Sequence, residues 1–289
     1  MSVITTNDGS QWQKPTVLTT AGAIVTGSVA QSAMTSANDL CAYPIMGKMR
    51  AINNGIDKVE ISNALKTAIE KGGLKGKVDL IDLKGKKDYK NIIEFMKDFF
   101  KNNKGLSPLE KLKKLPVEMV KEGFNAGFSP IGNKVIINPE KLGLAGFHEI
   151  GHAINFNNSK FWKALQCYRV AQIPIALAGA LSLTALFKRK KVEGEEPHGT
   201  FDKITTFIKE NVGKLTLLTM VPVVAEEIKA TMRGNKLAKE ILSPENYKKV
   251  VKLNRYGAMT YIGMTLLMSG GAYLANKIKD SIAKPKKIS

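Results

Sequence analysis

The spacing of apolar and polar residues changes several times along the chain, and each change marks an expected element. Residues 54–73, NGIDKVEISNALKTAIEKGG, place apolar side chains at helical spacing and end in Gly-Gly, a helix stop. KVDLIDL (77–83) alternates and predicts a strand. DYKNIIEFMKDFFKN (88–102) predicts an amphipathic helix. SPLEKLKKLPVEMVKEG (107–123) predicts another, opened by Ser107, Pro108 and Glu110 in a capping-box pattern. Pro116 is expected to break or kink it. FNAGFSPIGNKVIIN (124–138) reads as two short strands around a turn at SPIGN, and Pro139-Glu140 opens the next helix.

Beyond residue 168 the pattern is longer and more apolar. Residues 170–187 are 18 uncharged residues ending at Lys188-Arg189-Lys190-Lys191, and residues 256–276 are 21 uncharged residues between Arg255 and Lys277. Both approach the ~20 residues that cross a bilayer core, with basic flanks as anchors. LTLLTMVPVVA (215–225) is too short to span alone and is expected to complete a crossing helix that begins near Phe201. Residues 15–38 carry no charge and fit a signal peptide, a weak membrane helix or a small-residue packing helix. The fold class expected is α+β, mostly helical, with a small sheet and transmembrane helices in the C-terminal half. Three regions follow: a tail at 1–44, a lysine-rich soluble domain at 45–168 and membrane helices at 169–289.

The net charge of +19 fits an anionic membrane surface or cytoplasmic loops as readily as nucleic acid. No aromatic-interleaved basic motif accompanies the lysines, so no nucleic-acid partner is expected. Cys41 and Cys167 form no CxxC, which excludes a cysteine-based metal site and suggests two free buried thiols.

The chemistry is concentrated in FHEIGHAIN (147–155), which holds two of the three histidines. On a helix, His148 and His152 share one face and can aim at one metal ion. Glu149 is rotated about 100° from His148. It can there act as base toward a water whose acidity the metal raises. One zinc per chain is expected. Catalytic zinc takes three protein ligands. The extended HExxHxxGxxH form is excluded by Asn155 and Asn158, and His198 lies in a polar loop, as a solvated histidine. That leaves a carboxylate, and Glu226-Glu227 at the end of an apolar run stand out. The preceding strand offers Val135, Ile136 and Ile137 as a backbone edge against which an extended substrate could lie, with Ala126–Phe128 as the other choice.

HEIGHA followed downstream by Glu227-Ile228-Lys229-Ala230-Thr231-Met232-Arg233-Gly234 resembles the membrane neutral zinc metallopeptidases of bacteria, and more distantly the heat-shock and CAAX-prenyl membrane proteases. The resemblance covers about 124–157 and 216–240. It implies that Glu227 is the third ligand, that Thr231 stands where the family orients a ligating histidine, and that Ala230 and Arg233 fall on family positions. Gly234 replaces the usual alanine. The activity implied is a membrane-bound zinc endopeptidase acting on peptides or membrane proteins. A membrane scaffold with a structural or relic metal site is the alternative. Two crossings between the motifs would return Glu227 to the side of His148. With 31 of the 44 Lys and Arg in 35–169 and 228–255, that side is expected to be cytoplasmic in a multi-pass protein.

Overall fold

The computed structural model describes residues 2–85 and 87–288, apart from the side chains at 35, 38–40 and 112. It is mostly helical, with small sheets. In chain order the elements are β1 (Val3–Thr5), β2 (Gln11–Gln13), α1 (Val17–Asn53), α2 (Lys58–Lys71), β3 (Asp79–Asp82), α3 (Ile92–Asn102), α4 (Pro108–Lys121), β4 (Gly127–Ser129), β5 (Lys134–Ile137), α5 (Pro139–Leu142), α6 (Gly146–Asn158), α7 (Lys160–Val170), α8 (Ile173–Phe187), α9 (Gly199–Ile241), α10 (Pro244–Ile282) and β6 (Lys286–Lys287).

The contacts divide the chain into two units that do not follow its order. One comprises residues 1–39, 169–222 and 262–289. The other comprises 40–168 and 223–261. Division at 44 and 168 therefore misses that 223–261 belongs with the lysine-rich domain. The physical reason is that α9 and α10 are long, and each contributes residues to both units.

In the second unit, α2 starts where the Asp57 carboxylate accepts from the backbone N–H of Val59 and Glu60. Its residues Ile61, Ala64, Leu65, Ala68 and Ile69 are buried at helical spacing. They pack with Val135, Ile137, Leu144, Phe147, Ile150, Leu237, Val250 and Leu253 in one core. The capping box of α4 forms between Ser107 and Glu110. Of the break or kink expected at Pro116, the break does not occur, and α4 continues to Lys121. Proline removes its own N–H from the ladder and crowds the carbonyl four residues back, and the neighbouring bonds carry the helix past it.

The sheet of this unit has the order β3-β5-β4, with β3 parallel and β4 antiparallel to β5. This corrects one expectation. Val135, Ile136 and Ile137 lie on the central strand, the first two paired on both sides and Ile137 with β3, and form no sheet edge for a substrate. The open edges belong to β3 and β4. The short hairpin after β4 returns β5 into the gap beside β3, which residue patterns alone do not reveal.

The helix expected from Pro139 is also broken into pieces. α5 is one turn, residues 143–145 form a 3₁₀ turn, and α6 follows. Buried Asn53 bridges the break. Its amide donates to the carbonyl of Glu140 (3.1 Å), and its carbonyl oxygen accepts from the N–H of Leu144 (2.9 Å). Asn138 caps α5 by accepting from the N–H of Glu140 and Lys141.

In the first unit, β1, β2 and β6 form a sheet that the sequence pattern did not suggest. Segments of α1, α8, α9 and α10 pack through small residues. A Cβ at Gly27 would lie 2.8 Å from the carbonyl oxygen of Ala275. Among the described residues, one helical stretch, Val17–Met34, is long and apolar enough to cross a membrane, and only 11% of it is buried. The 170–187 run is not one helix. It divides between α7 and α8, which are bent by 55° and pass the same test only together. Gln172 is left-handed there, and Pro174 near the start of α8 cannot extend a ladder from α7. The runs at 215–225 and 256–276 lie inside α9 and α10. Cys41 and Cys167 are free but exposed rather than buried, because both fall on outward faces of their helices.

Removing the Asn53 amide would strand the buried N–H of Leu144 and a part-buried carbonyl of Glu140, a buried group costing about 1–3 kcal/mol when unsatisfied. Asn53→Ala is expected to lose about 2–4 kcal/mol of stability, read as a lower midpoint in thermal unfolding. An unchanged midpoint would mean that water replaces the amide.

Candidate metal centre

The centre is built by α6 and the later part of α9, within one unit. α6 is anchored by Phe147, Ile150 and Ala153, all completely buried in the core. This fixes the rotation of the helix. His148 and His152, four residues apart, are then carried on a neighbouring face with their rings 4.5 Å apart and nearly perpendicular.

α9 crosses α6 at backbone contact. A Cβ on Gly151 would sit 2.1 Å from the carbonyl oxygen of Ala230, and a Cβ on Gly234 would sit 2.4 Å from that of Phe147. Each helix thus has a glycine where the other's backbone passes. Gly234 stands where the resembled family carries alanine, and in this chain no side chain fits there. The crossing brings α9 close enough for short carboxylate side chains to reach the histidines.

Three ligand atoms converge. His148 Nε2 lies 2.9 Å from His152 Nε2 and 3.1 Å from Glu227 Oε2, and His152 Nε2 lies 3.5 Å from the same carboxylate oxygen. Three ligands ~2.0–2.1 Å from a tetrahedral ion would be about 3.3 Å apart. The triangle is therefore of a size that could hold a small metal ion. His148, His152 and Glu227 are the group of potential metal ligands found among the described residues.

The outer nitrogens have partners too. His152 Nδ1 is 2.8 Å from Glu226 Oε1, and a carboxylate only accepts, so the ring donates there. That leaves the Nε2 lone pair facing the triangle. His148 Nδ1 lies 3.1 Å from the Thr231 hydroxyl. Both Nε2 atoms face one carboxylate oxygen and each other, an arrangement in which one cation can take all three contacts. The donor set and its hydrogen bonding therefore fit a divalent metal, and the two-histidine, one-carboxylate composition is that of several zinc hydrolase sites.

The two adjacent glutamates have different partners. Glu227 faces the triangle, and Glu226 holds the imidazole of His152. Both are buried, at 1% and 0% exposure, and neither is a solvated cap on the apolar run. The side-chain amide of Asn155, three residues after His152, donates to Glu226 Oε1 at 2.9 Å. The charge of Glu226 also acts on Arg233, partly offsetting the burial that lowers the guanidinium's affinity for its proton. Asn155 entered the sequence reading only as a residue that excludes a third histidine. Its spacing from His152, nearly one helical turn, was the available signal.

Glu149 lies beside His148 on α6, 9% exposed, and its carboxylate has no hydrogen-bond or ion-pair partner among the described residues. Thr231 is on α9 beside His148 as described. His198 is exposed in the other unit, its N–H donating to Asp202. Comparison of the chain with family models, with curated proteins and with solved structures gave no match.

Zinc analysis of the purified protein is expected to give about one ion per chain, with Glu227→Ala losing it and Glu226→Gln weakening binding by about 10–100-fold. Equal zinc content in wild type and Glu227→Ala would exclude this ligand set. Gly234→Ala gains about 1 kcal/mol of helix propensity. It meets a backbone carbonyl that cannot rotate away, at a typical overpacking cost of about 1–3 kcal/mol. Lower thermal stability together with weaker zinc binding is the expected result.

Proposed function

We propose that this chain is a membrane-bound zinc-dependent endopeptidase. The observation that carries the reading is the convergence of His148, His152 and Glu227 within ligand distance, with Glu149 next to His148 on the same helix. Those three residues would hold a zinc ion, which would supply a Lewis acid and raise the acidity of a water. Glu149 would take the proton of the attacking water and deliver it to the amide nitrogen as the C–N bond breaks. Glu226, Asn155 and Thr231 hold the two imidazoles in the tautomer and rotation that this needs.

The substrate is a peptide or membrane protein bound in extended form. With β5 paired on both sides, the edge suited to receive it is β4 (Gly127–Ser129), whose outer backbone has no strand beside it among the described residues. Multi-pass insertion belongs to this reading through the apolar runs of the sequence; among the described residues Val17–Met34, and α7–α8 if counted as one span, are long and apolar enough to cross a membrane. The excess of lysine in the unit that bears the site supports a cytoplasmic site.

A second reading has one observation in its favour. His152, Glu226 and Glu227 are almost fully buried, and structural metal sites are closed where catalytic ones stay open. A membrane scaffold with a structural or relic metal would have this enclosure. Glu149 separates the two readings, because it is not a ligand. Glu149→Gln is expected to keep its zinc and to cleave casein or membrane-protein substrates about 10²–10⁴-fold more slowly. Cleavage by this variant at the wild-type rate would rule out the proposed base. Bound zinc with no cleavage by wild type would favour the scaffold.

A further inference from the structure

The α3–α4 hairpin takes no part in the metal centre, and its composition stands out. Residues 84–121 hold eleven lysines against five acidic residues. The hairpin has a small core of its own. Ile92, Phe95 and Phe99 of α3 pack with Phe124, and Leu115 and Met119 of α4 with Tyr43 and Met46 of α1 complete it. The inner faces of both helices are thereby occupied.

The outer faces repeat one pattern. On α3, Ile93, Lys97 and Phe100 lie at i, i+4 and i+7, within a ~60° arc. On α4, Leu109, Lys113 and Val117 lie at i, i+4 and i+8, within ~80°. All six side chains are exposed, Leu109 at 60% and Phe100 at 48%. Lys97 and Lys113 make no ion pair among the described residues, although Lys87 and Lys121 nearby do. Each helix therefore presents two large apolar groups with an unpaired ammonium between them.

We infer that the α3–α4 hairpin docks on an anionic phospholipid surface, with Ile93, Phe100, Leu109 and Val117 in the headgroup–acyl boundary and Lys97 and Lys113 on lipid phosphates. Charge complementarity selects this occupant. Apolar side chains interleaved with lysines, whose stems extend toward phosphates, are the pattern of an interfacial helix. A nucleic acid would satisfy the lysines but has nothing to bury three exposed aliphatic groups, and Phe100 alone supplies no stacking platform. The inference does not rest on the metal centre. It assigns a role to the basic domain that the proposed peptidase chemistry leaves without one.

The test uses the full chain with Trp12→Phe and Trp162→Phe, so that one tryptophan reports. That tryptophan is placed by Phe100→Trp or, as a control on α2, by Val59→Trp. The protein is reconstituted with phosphatidylcholine vesicles, pure or with about 30 mol % phosphatidylglycerol, carrying brominated acyl chains that quench only a buried indole. The expected result is quenching at position 100 in the anionic vesicles, little in the neutral ones, and none at position 59 in either. Lys97→Glu with Lys113→Glu is expected to weaken docking by roughly fivefold or more per lysine. Equal quenching at 100 and 59 would overturn the proposal. So would quenching independent of phosphatidylglycerol, which would leave the lysines without a role. So would protection of position 100 by an oligonucleotide with no quenching by lipid. Zinc content, measured on the same samples, reports separately on the metal centre.

Discussion

The site depends on two helices meeting with no side chain between them. At Gly151 and Gly234 the backbones of α6 and α9 are too close to admit a Cβ on either. A carboxylate on a glutamate stem has limited reach, so ligand distances near 3 Å between residues on different helices require a small interaxial separation. Bulk at either glycine would push α9 away and widen the triangle of His148, His152 and Glu227. The core behind α6 opposes the same movement from the other side, because Phe147 and Ile150 are locked among α2, β5 and the end of α9. Packing thus sets the geometry, and the polar groups occupy it.

The polar groups are also arranged by charge. Burying Glu226 and Glu227 side by side is unfavourable, and the guanidinium of Arg233 acts on Glu226. A divalent cation at Glu227 would offset charge on the other. Successive residues on a helix are rotated by about 100°, so Glu226 and Glu227 reach opposite sides of the same imidazole of His152. With a metal bound, one adjacent pair of identical residues would supply both a ligand and the group that orients a ligand. The amide of Asn155 keeps the second of these in place from α6.

Away from the site, the lysine-rich unit divides its apolar residues between two purposes. Those at the inner positions of α2, α3 and α4 build cores. Those at the outer positions of the α3–α4 hairpin remain in solvent between lysines. The candidate metal centre lies in this same unit.

The local sequence determined what local physics controls. Ser107 and Glu110 marked a helix start because capping is satisfied within a few residues. The alternation at 77–83 and 124–138 marked the three strands of one sheet. The HEIGH spacing placed two imidazoles on one helical face by the geometry of the helix alone. Tertiary structure decided the rest. Whether β5 is an edge or a centre depends on β3, which is more than fifty residues away. The 170–187 run was judged by a local rule that Gln172 and Pro174 overrode. The choice between Glu226 and Glu227, left open by the residues themselves, turns on how α9 is rotated where it crosses α6. That rotation is fixed by glycines and core contacts distributed over the unit, and no short stretch of sequence contains them.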